Sequence, residues 1–424
     1  MKVRLFVAAL LWVPAGAFAQ PAPTFSKDVA PLLNQHCVTC HRPGEMAPMS
    51  LLTYQQARPW AKAIKEKVAL GVMPPWHSDA PRGTFVNDRR LTDDEKSTIV
   101  RWVDSGAPEG NSKDLPSPPK FAEGWAIGTP DVVLKMATAF EVPASGTIPY
   151  KLFTIPTNFT EDRWVQALEI RPGERSVVHH VLAFVHDPSG KREREAFTVV
   201  VPEMPRRQES EGGGSRGEGP GTLIATTAPG TNAMRFEPGT ALRIPAGATI
   251  TFQIHYTANG KAASDQTAIG MVFAKQPPRE EVRTSAFMNP LLSLPAGQAD
   301  ETVPSAIQFN QDVHITAIFP HTHLRGKSWE YRLVYPDGRT QVVLSVPHYD
   351  FNWQTYYIFA APVAAPKGSR LEAVAHYDNS ANNPSNPDPT ITVRWGQQTW
   401  QEMQYTGINY TVDGAAPAVT AERQ

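Results

Sequence analysis

The chain has 424 residues, enough for about three domains with cores of their own. Its 40 basic residues nearly balance its 41 acidic ones. That balance argues against a nucleic-acid partner or an electrostatically held membrane surface, and it points to a small-molecule or redox task.

Lys2 and Arg4, the apolar run Leu5 to Val13, and small residues at Ala17 and Ala19 form a secretory signal pattern too short for a membrane span. Residues 1–19 are therefore expected to be removed near Ala19, leaving a periplasmic or secreted chain with no stable membrane insertion. Only two cysteines are present, both in Cys37-Val-Thr-Cys40-His41. This spacing is the attachment pattern of a c-type haem: two thiols bond to the porphyrin and the histidine ligates iron. A thioredoxin-like motif would need a βαβ pattern around it, and none is visible.

Residues 23–110 then read as a small all-α, class I cytochrome c domain. Trp60, Ile64 and Val68 recur at helical spacing before Gly71. A second helix is expected from Thr92, whose Thr-Asp-Asp-Glu95 reads as a capping box, through Ile99, Trp102 and Val103 to Gly106. Between the helices, Met73-Pro-Pro-Trp76 looks like the loop that brings a methionine sulfur to haem iron. Met73 is the expected sixth ligand, with Met46, Met49 and His77 as competitors. Ala107 to Lys120 lacks an apolar period and reads as a linker, placed at 111–122 between domains.

Beyond it, short β-type runs alternate with turns: Thr249–Tyr256, Asp312–Phe319, Trp329–Tyr335, Leu371–Tyr377 and Thr390–Trp395. Their spacing predicts two all-β antiparallel jelly-roll sandwiches, residues 123–276 and 277–414. Arg206–Gly221, dense in Gly, Glu and Arg, reads as a mobile surface loop.

Four histidine features fall in this β region. In Phe319-Pro-His321-Thr-His323 the imidazoles are two residues apart at the end of a strand, so they share one face. Such a pair suits copper, zinc, iron or nickel. His179-His180 ends a polar-to-apolar run, His255 lies in Gln253-Ile-His-Tyr256 on a period-2 strand, and Trp400-Gln-Glu-Met403 follows the last run. Neighbours on a regular strand face opposite sides, so His179 and His180 can share a metal only where the backbone bends or the strand ends. A blue-copper site is excluded because it needs a cysteine thiolate. His36, His186, His314, His348 and His376 have no partner at ligand spacing and read as ordinary polar groups.

Taken in order, His-His, His-Tyr, His-Thr-His and Glu-Met resemble the copper type II, ascorbate-dependent monooxygenases over roughly residues 125–412. The resemblance implies two copper ions. His179, His180 and His255 would hold an electron-transfer copper; His321, His323 and Met403 would hold the copper that meets O2. Thioether sulfur is soft and favours Cu(I), which agrees with that division. The peptide-hydroxylating branch has an arginine two residues before its His-x-His; here Phe319 stands there, which favours a neutral or aromatic substrate.

The resulting expectation is a monooxygenase that hydroxylates a C–H bond of a small organic substrate with O2. An external donor would reduce the covalently bound haem c, which, tethered at roughly millimolar local concentration, would supply the electrons. The alternative is a periplasmic haem c/copper electron-transfer or copper-binding protein without hydroxylase activity.

Overall fold

In the computed structural model, the described residues are 21–43, 45, 47–120, 124–189, 195–200, 221–228 and 233–414. The expected signal peptide and residues 206–220 of the glycine-rich loop lie outside them. Among the described residues no helix is long and apolar enough to cross a membrane.

The chain divides into two compact units. The smaller takes in described residues up to 43, 49–70 and 91–118. Its α-helices are short: α1 Ala30–His36, α2 Tyr54–Ala57, α3 Ala61–Ala69 and α4 Asp93–Asp104. The capping box is present, with the Glu95 amide donating to Thr92 Oγ1 (3.2 Å) and the Thr92 amide to Glu95 Oε2 (2.6 Å). Ile99 and Trp102 of α4 and Ile64 and Val68 of α3 are buried, whereas Trp60 is 45% exposed. Trp60 closes a 3₁₀ turn, Arg58–Trp60, so it leaves the stripe that α3 presents inward.

The expected all-α cytochrome c domain is not evident: the molecule is mostly β, and its helices run from 4 to 12 residues. Residues 71–90, which were to carry the methionine loop between the two helices of the cytochrome domain, group instead with the β unit. Aromatic burial explains it. Trp76 packs edge-on against Tyr357 at 5.1 Å, Phe85 lies 5.1 Å from Phe359, and Phe85 and Phe359 form an isolated β-bridge. Rings of this size gain more from a sheet face than from a short helix pair.

The β unit agrees with sandwich-type content. A nine-stranded sheet runs Val132–Lys135, Ala268–Phe273, Arg163–Arg171, Thr240–Ile244, Glu280–Met288, Tyr405–Val412, Val313–His321 and Tyr357–Ala365, with Ala233–Arg235 beside Arg163–Arg171. A four-stranded sheet, Lys151–Pro156, Thr249–Tyr256, Val178–His186 and Thr222–Thr227, and a five-stranded one, Thr340–Val346, Gly326–Val334, Arg370–Tyr377, Glu301–Phe309 and Phe197–Val200, complete the main layers. Glu280–Met288 pairs with Thr240–Ile244 in parallel and with Tyr405–Val412 antiparallel. The long sheet is thereby continuous across the expected division at 276/277.

Two cores lie between the layers. One is centred on Ile170, Val181, Phe252 and Ile254, the other on Ile307, Trp329, Leu333 and Tyr410. The expected strand Thr390–Trp395 shrinks to Val393–Arg394, because the Asn379 side-chain amide takes the Ile391 carbonyl at 3.0 Å and three prolines, Pro384, Pro387 and Pro389, precede it.

Candidate metal centre

The first histidine group forms where two strands of the four-stranded sheet lose register. Thr249–Tyr256 pairs with Val178–His186 so that His255 opposes His180, but Tyr256 opposes Val178. His179 is the extra residue of a β-bulge. A bulge turns two successive side chains toward one side, which is the bend the double histidine requires. Potential ligand atoms of His179, His180 and His255 all lie within 4.8 Å of one another. The Nδ1 atoms of His179 and His180 approach to 3.1 Å. At most one of them carries a proton, since two ring N–H groups repel. His255 Nε2 meets Thr399 Oγ1 at 3.3 Å, while its buried Nδ1 has no protein partner.

The second group forms at the end of Val313–His321, with His323 just past it; the two rings lie 5.2 Å apart. Here each imidazole is oriented by an acceptor. His321 Nδ1 contacts Gln354 Oε1 at 2.8 Å, and His323 Nδ1 donates to the Gln401 carbonyl at 3.2 Å. The opposite nitrogen, Nε2, is thereby left with its lone pair on both rings, and that of His323 is buried without a partner. Ligating histidines in metal sites are oriented in this way through the second nitrogen.

Glu402, fully buried, ties this group together. Its Oε2 accepts from the amides of His323 (2.7 Å) and Met403 (3.0 Å), and its Oε1 accepts from the amide of Arg325 (2.7 Å). Burial pushes the Glu402 carboxyl up to about 7, against the pull of those three amides and of the Arg325 charge. Arg325, also fully buried, donates to Asn379 Oδ1 (2.8 Å) and to the Trp400 carbonyl (3.0 Å). The Met403 carbonyl accepts from Tyr377 at 2.8 Å, and Met403 lies two residues before Tyr405, the residue paired with His321.

The two groups adjoin. The His180 and His321 rings are 6.3 Å apart, and Phe351 stacks on His179 at 5.0 Å while its edge meets His323 at 5.9 Å. The five imidazoles of the two groups are thus neighbours in one buried or half-buried cluster. Burial lowers all five: His179, His255 and His321 fall to about 4, and His180 and His323 fall well below the ordinary range, helped by the neighbouring imidazoles. At neutral pH every ring is uncharged, the state that binds a metal. Buried imidazole nitrogens without partners fit copper, one of the metals that imidazole holds.

In the smaller unit, α1 runs directly into the Cys-x-x-Cys-His turn, where the Cys40 and His41 amides donate to the Cys37 carbonyl at 3.1 and 2.9 Å. No disulfide joins the two cysteines. His41 Nδ1 donates to the Met49 carbonyl at 3.3 Å, so its Nε2 is the nitrogen available to iron, which fits a haem ligand. Burial lowers the His41 ring and, together with Cys40, pushes the Cys37 thiol up to about 12. Met73 and His77 lie in the segment 71–90 that groups with the β unit, Met49 in the smaller unit, and Met46 outside the described residues.

Several histidines read as ordinary have ordinary partners: His36 with Glu95 (3.2 Å), His314 with Asp413 (2.8 Å) and His376 with Asp300 (3.3 Å). Gln354, Phe351, Thr399 and the role of Glu402 are new from the structure. The Glu-Met pair was visible in the sequence, but nothing local links Glu402 to His323, 79 residues away.

Comparison with known proteins gives a family match for part of the β unit. A search of curated proteins returns no match. Among solved structures, the chain is similar to the major capsid protein P2 of bacteriophage PM2, at 11% identity and TM-score 0.29, covering 66% of this chain and 97% of that one. It is also similar to infectious bursal disease virus Gx strain, at 10% identity and TM-score 0.21, covering 70% and 76%. Scores this low carry no argument about fold or function. Residues 297–411, which hold His321, His323 and Met403, match the copper type II ascorbate-dependent monooxygenase, C-terminal domain, and this match supports a copper-dependent monooxygenase.

Proposed function

We propose that this chain hydroxylates a C–H bond of a small organic substrate with O2, using two copper ions, with electrons supplied through a haem c bound at Cys37, Cys40 and His41. His179, His180 and His255 hold one copper; His321, His323 and Met403 hold the other. The observation that carries the reading is the cluster of five neutral, converging imidazoles, two of which have a buried nitrogen with no protein partner. Copper bound there would supply one-electron chemistry toward dioxygen. The chain's own part is orientation. Gln354 and the Gln401 carbonyl fix which nitrogen His321 and His323 present, and Glu402 holds the backbone amides of His323 and Met403 together.

Electron supply through haem rests on the His41 tautomer set by Met49 and on the attachment spacing. The export pattern of residues 1–19 and a covalent haem both fit a periplasmic or secreted protein with an external electron donor. The direct test supplies ¹⁸O2 and a reductant to copper-loaded protein with a panel of neutral and aromatic substrates. One labelled oxygen atom in a product, coupled to oxygen uptake, is the expected result. Redox cycling of copper and haem with no labelled product would favour an electron carrier and overturn the hydroxylase reading.

A further inference from the structure

The aromatic rings around the histidines divide unequally. Tyr150 touches only the first group, His180 at 5.5 Å and His255 at 5.0 Å; Phe319 and Tyr405 touch only His321, at 6.1 and 6.0 Å. Phe351 contacts both: His179 at 5.0 Å in a near-parallel stack, His180 edge-on at 6.5 Å, and His323 at 5.9 Å. The ring is 8% exposed and belongs to no regular element.

Its backbone is nonetheless held in place. Asp350 closes the turn, taking the Asn352 amide on Oδ1 (2.9 Å) and the Trp353 amide on its carbonyl (2.9 Å). The Phe351 carbonyl accepts from Gln354 Nε2 at 3.3 Å, and the same Gln354 contacts His321 Nδ1 at 2.8 Å. One five-residue turn therefore lays a ring against the first group and a carboxamide against the second. Its neighbour Tyr349 adds a third tie, donating to the Thr322 carbonyl between His321 and His323 at 3.0 Å.

From this arrangement we propose that Phe351 is the specificity-determining wall between the two histidine groups: its ring limits the size of what reaches the metals and presents an apolar face to an apolar substrate. The proposal rests on the copper reading above. Phe351 bonds to no ligand nitrogen, and the polar support of His321 comes from Gln354, so shrinking the ring removes that bulk while leaving the orienting hydrogen bonds in place. A wall of this kind acts on exogenous ligands according to their bulk, whereas a residue with only a packing role would not.

The test uses the full chain loaded with copper, wild type beside Phe351→Ala, Phe351→Leu and Phe351→Trp. Copper content is measured first by elemental analysis, then azide affinity for the oxidised protein by its charge-transfer absorption, and carbon monoxide binding to the reduced protein by infrared. The expected result is unchanged copper content, azide binding about tenfold tighter in the alanine variant, intermediate in leucine, and weaker than wild type in tryptophan. Azide affinities equal within twofold across all four proteins at unchanged copper content overturn the wall and leave the copper reading intact. Loss of copper in all three variants also overturns it, because Phe351 would then be a support of the ligands. A wild-type protein that takes up no copper overturns the copper reading and this proposal with it.

Discussion

The two histidine groups are built by opposite means. His179, His180 and His255 converge because a β-bulge breaks the register of two adjacent strands; among the described residues the hydrogen-bonding support from outside the group is a 3.3 Å contact from Thr399 to His255, beside the apolar packing of the Tyr150 and Phe351 rings. His321 and His323 sit at an unbroken strand end, and their geometry is imposed by Gln354, the Gln401 carbonyl and the buried carboxylate of Glu402. The first group is made by backbone irregularity and the second by a polar network. On the copper reading, the group built on the bulge is expected to tolerate loss of its neighbours better than the group built on the network.

Removing a ligand from either side is the largest perturbation. Met403→Ile and His180→Ala are each expected to abolish hydroxylation, measured as labelled product, while leaving the haem absorption spectrum unchanged. Loss of haem absorption in either variant would show that the two regions are not independent.

Next is Glu402→Ala. It leaves the amides of His323, Arg325 and Met403 without their acceptor in a buried site, at about 1–3 kcal/mol for each unsatisfied donor. Chemical denaturation should show a loss of several kcal/mol, with copper lost from the second group before the first. Copper lost equally from both groups would break the contrast.

Acid acts on both groups alike. His179, His255 and His321 have folded values of about 4, below the ordinary 6.5. Between these limits the unfolded chain takes up protons that the folded chain refuses, so stability rises with pH in this window and falls as pH drops through it, at ~1.4 kcal/mol per pH unit for each proton. Denaturation of the metal-free protein should therefore be easier at pH 5 than at pH 7, with Glu402, raised to about 7, offsetting part of the loss because the folded chain holds its proton more tightly. A flat profile from pH 7 to 5 would place these rings in water.

The smallest effect is the sharpest comparison. Gln354→Leu should weaken copper binding at the second group about 10–100-fold, the usual cost of losing a partner of a ligating histidine. Thr399→Val, which removes a longer 3.3 Å contact to one of three histidines, is expected to weaken the first group less than that. Competition with a copper chelator reads both, and equal effects would mean that the bulge needs its neighbour as much as the strand end does.

Much of this centre was legible in local spacing. His-x-His gives a shared face by strand period, His255 falls on a period-2 run, and the requirement for a bend at His179-His180 anticipated the bulge. The parts that escaped are long-range. Gln354 meets His321 across 33 residues and Glu402 meets His323 across 79, with no local pattern to mark either pair. The helical domain was over-read for a related reason: the Met73-Pro-Pro-Trp76 stretch has a cytochrome-like look, but Trp76 and Phe85 find larger apolar partners on Tyr357 and Phe359, and the segment follows its aromatic rings. The adjacency of the two groups was invisible as well, because it depends on Phe351 and on the contact between His180 and His321, which join distant strands.

Copper stoichiometry in single and double histidine variants tests the central claim most directly. The account predicts two copper ions per chain in the wild type, one in His180→Ala, one in His321→Ala, and none in the double variant, with type II cupric signals in the electron paramagnetic resonance of the oxidised protein. Two copper ions retained in the double variant, or none bound by the wild type, would contradict it.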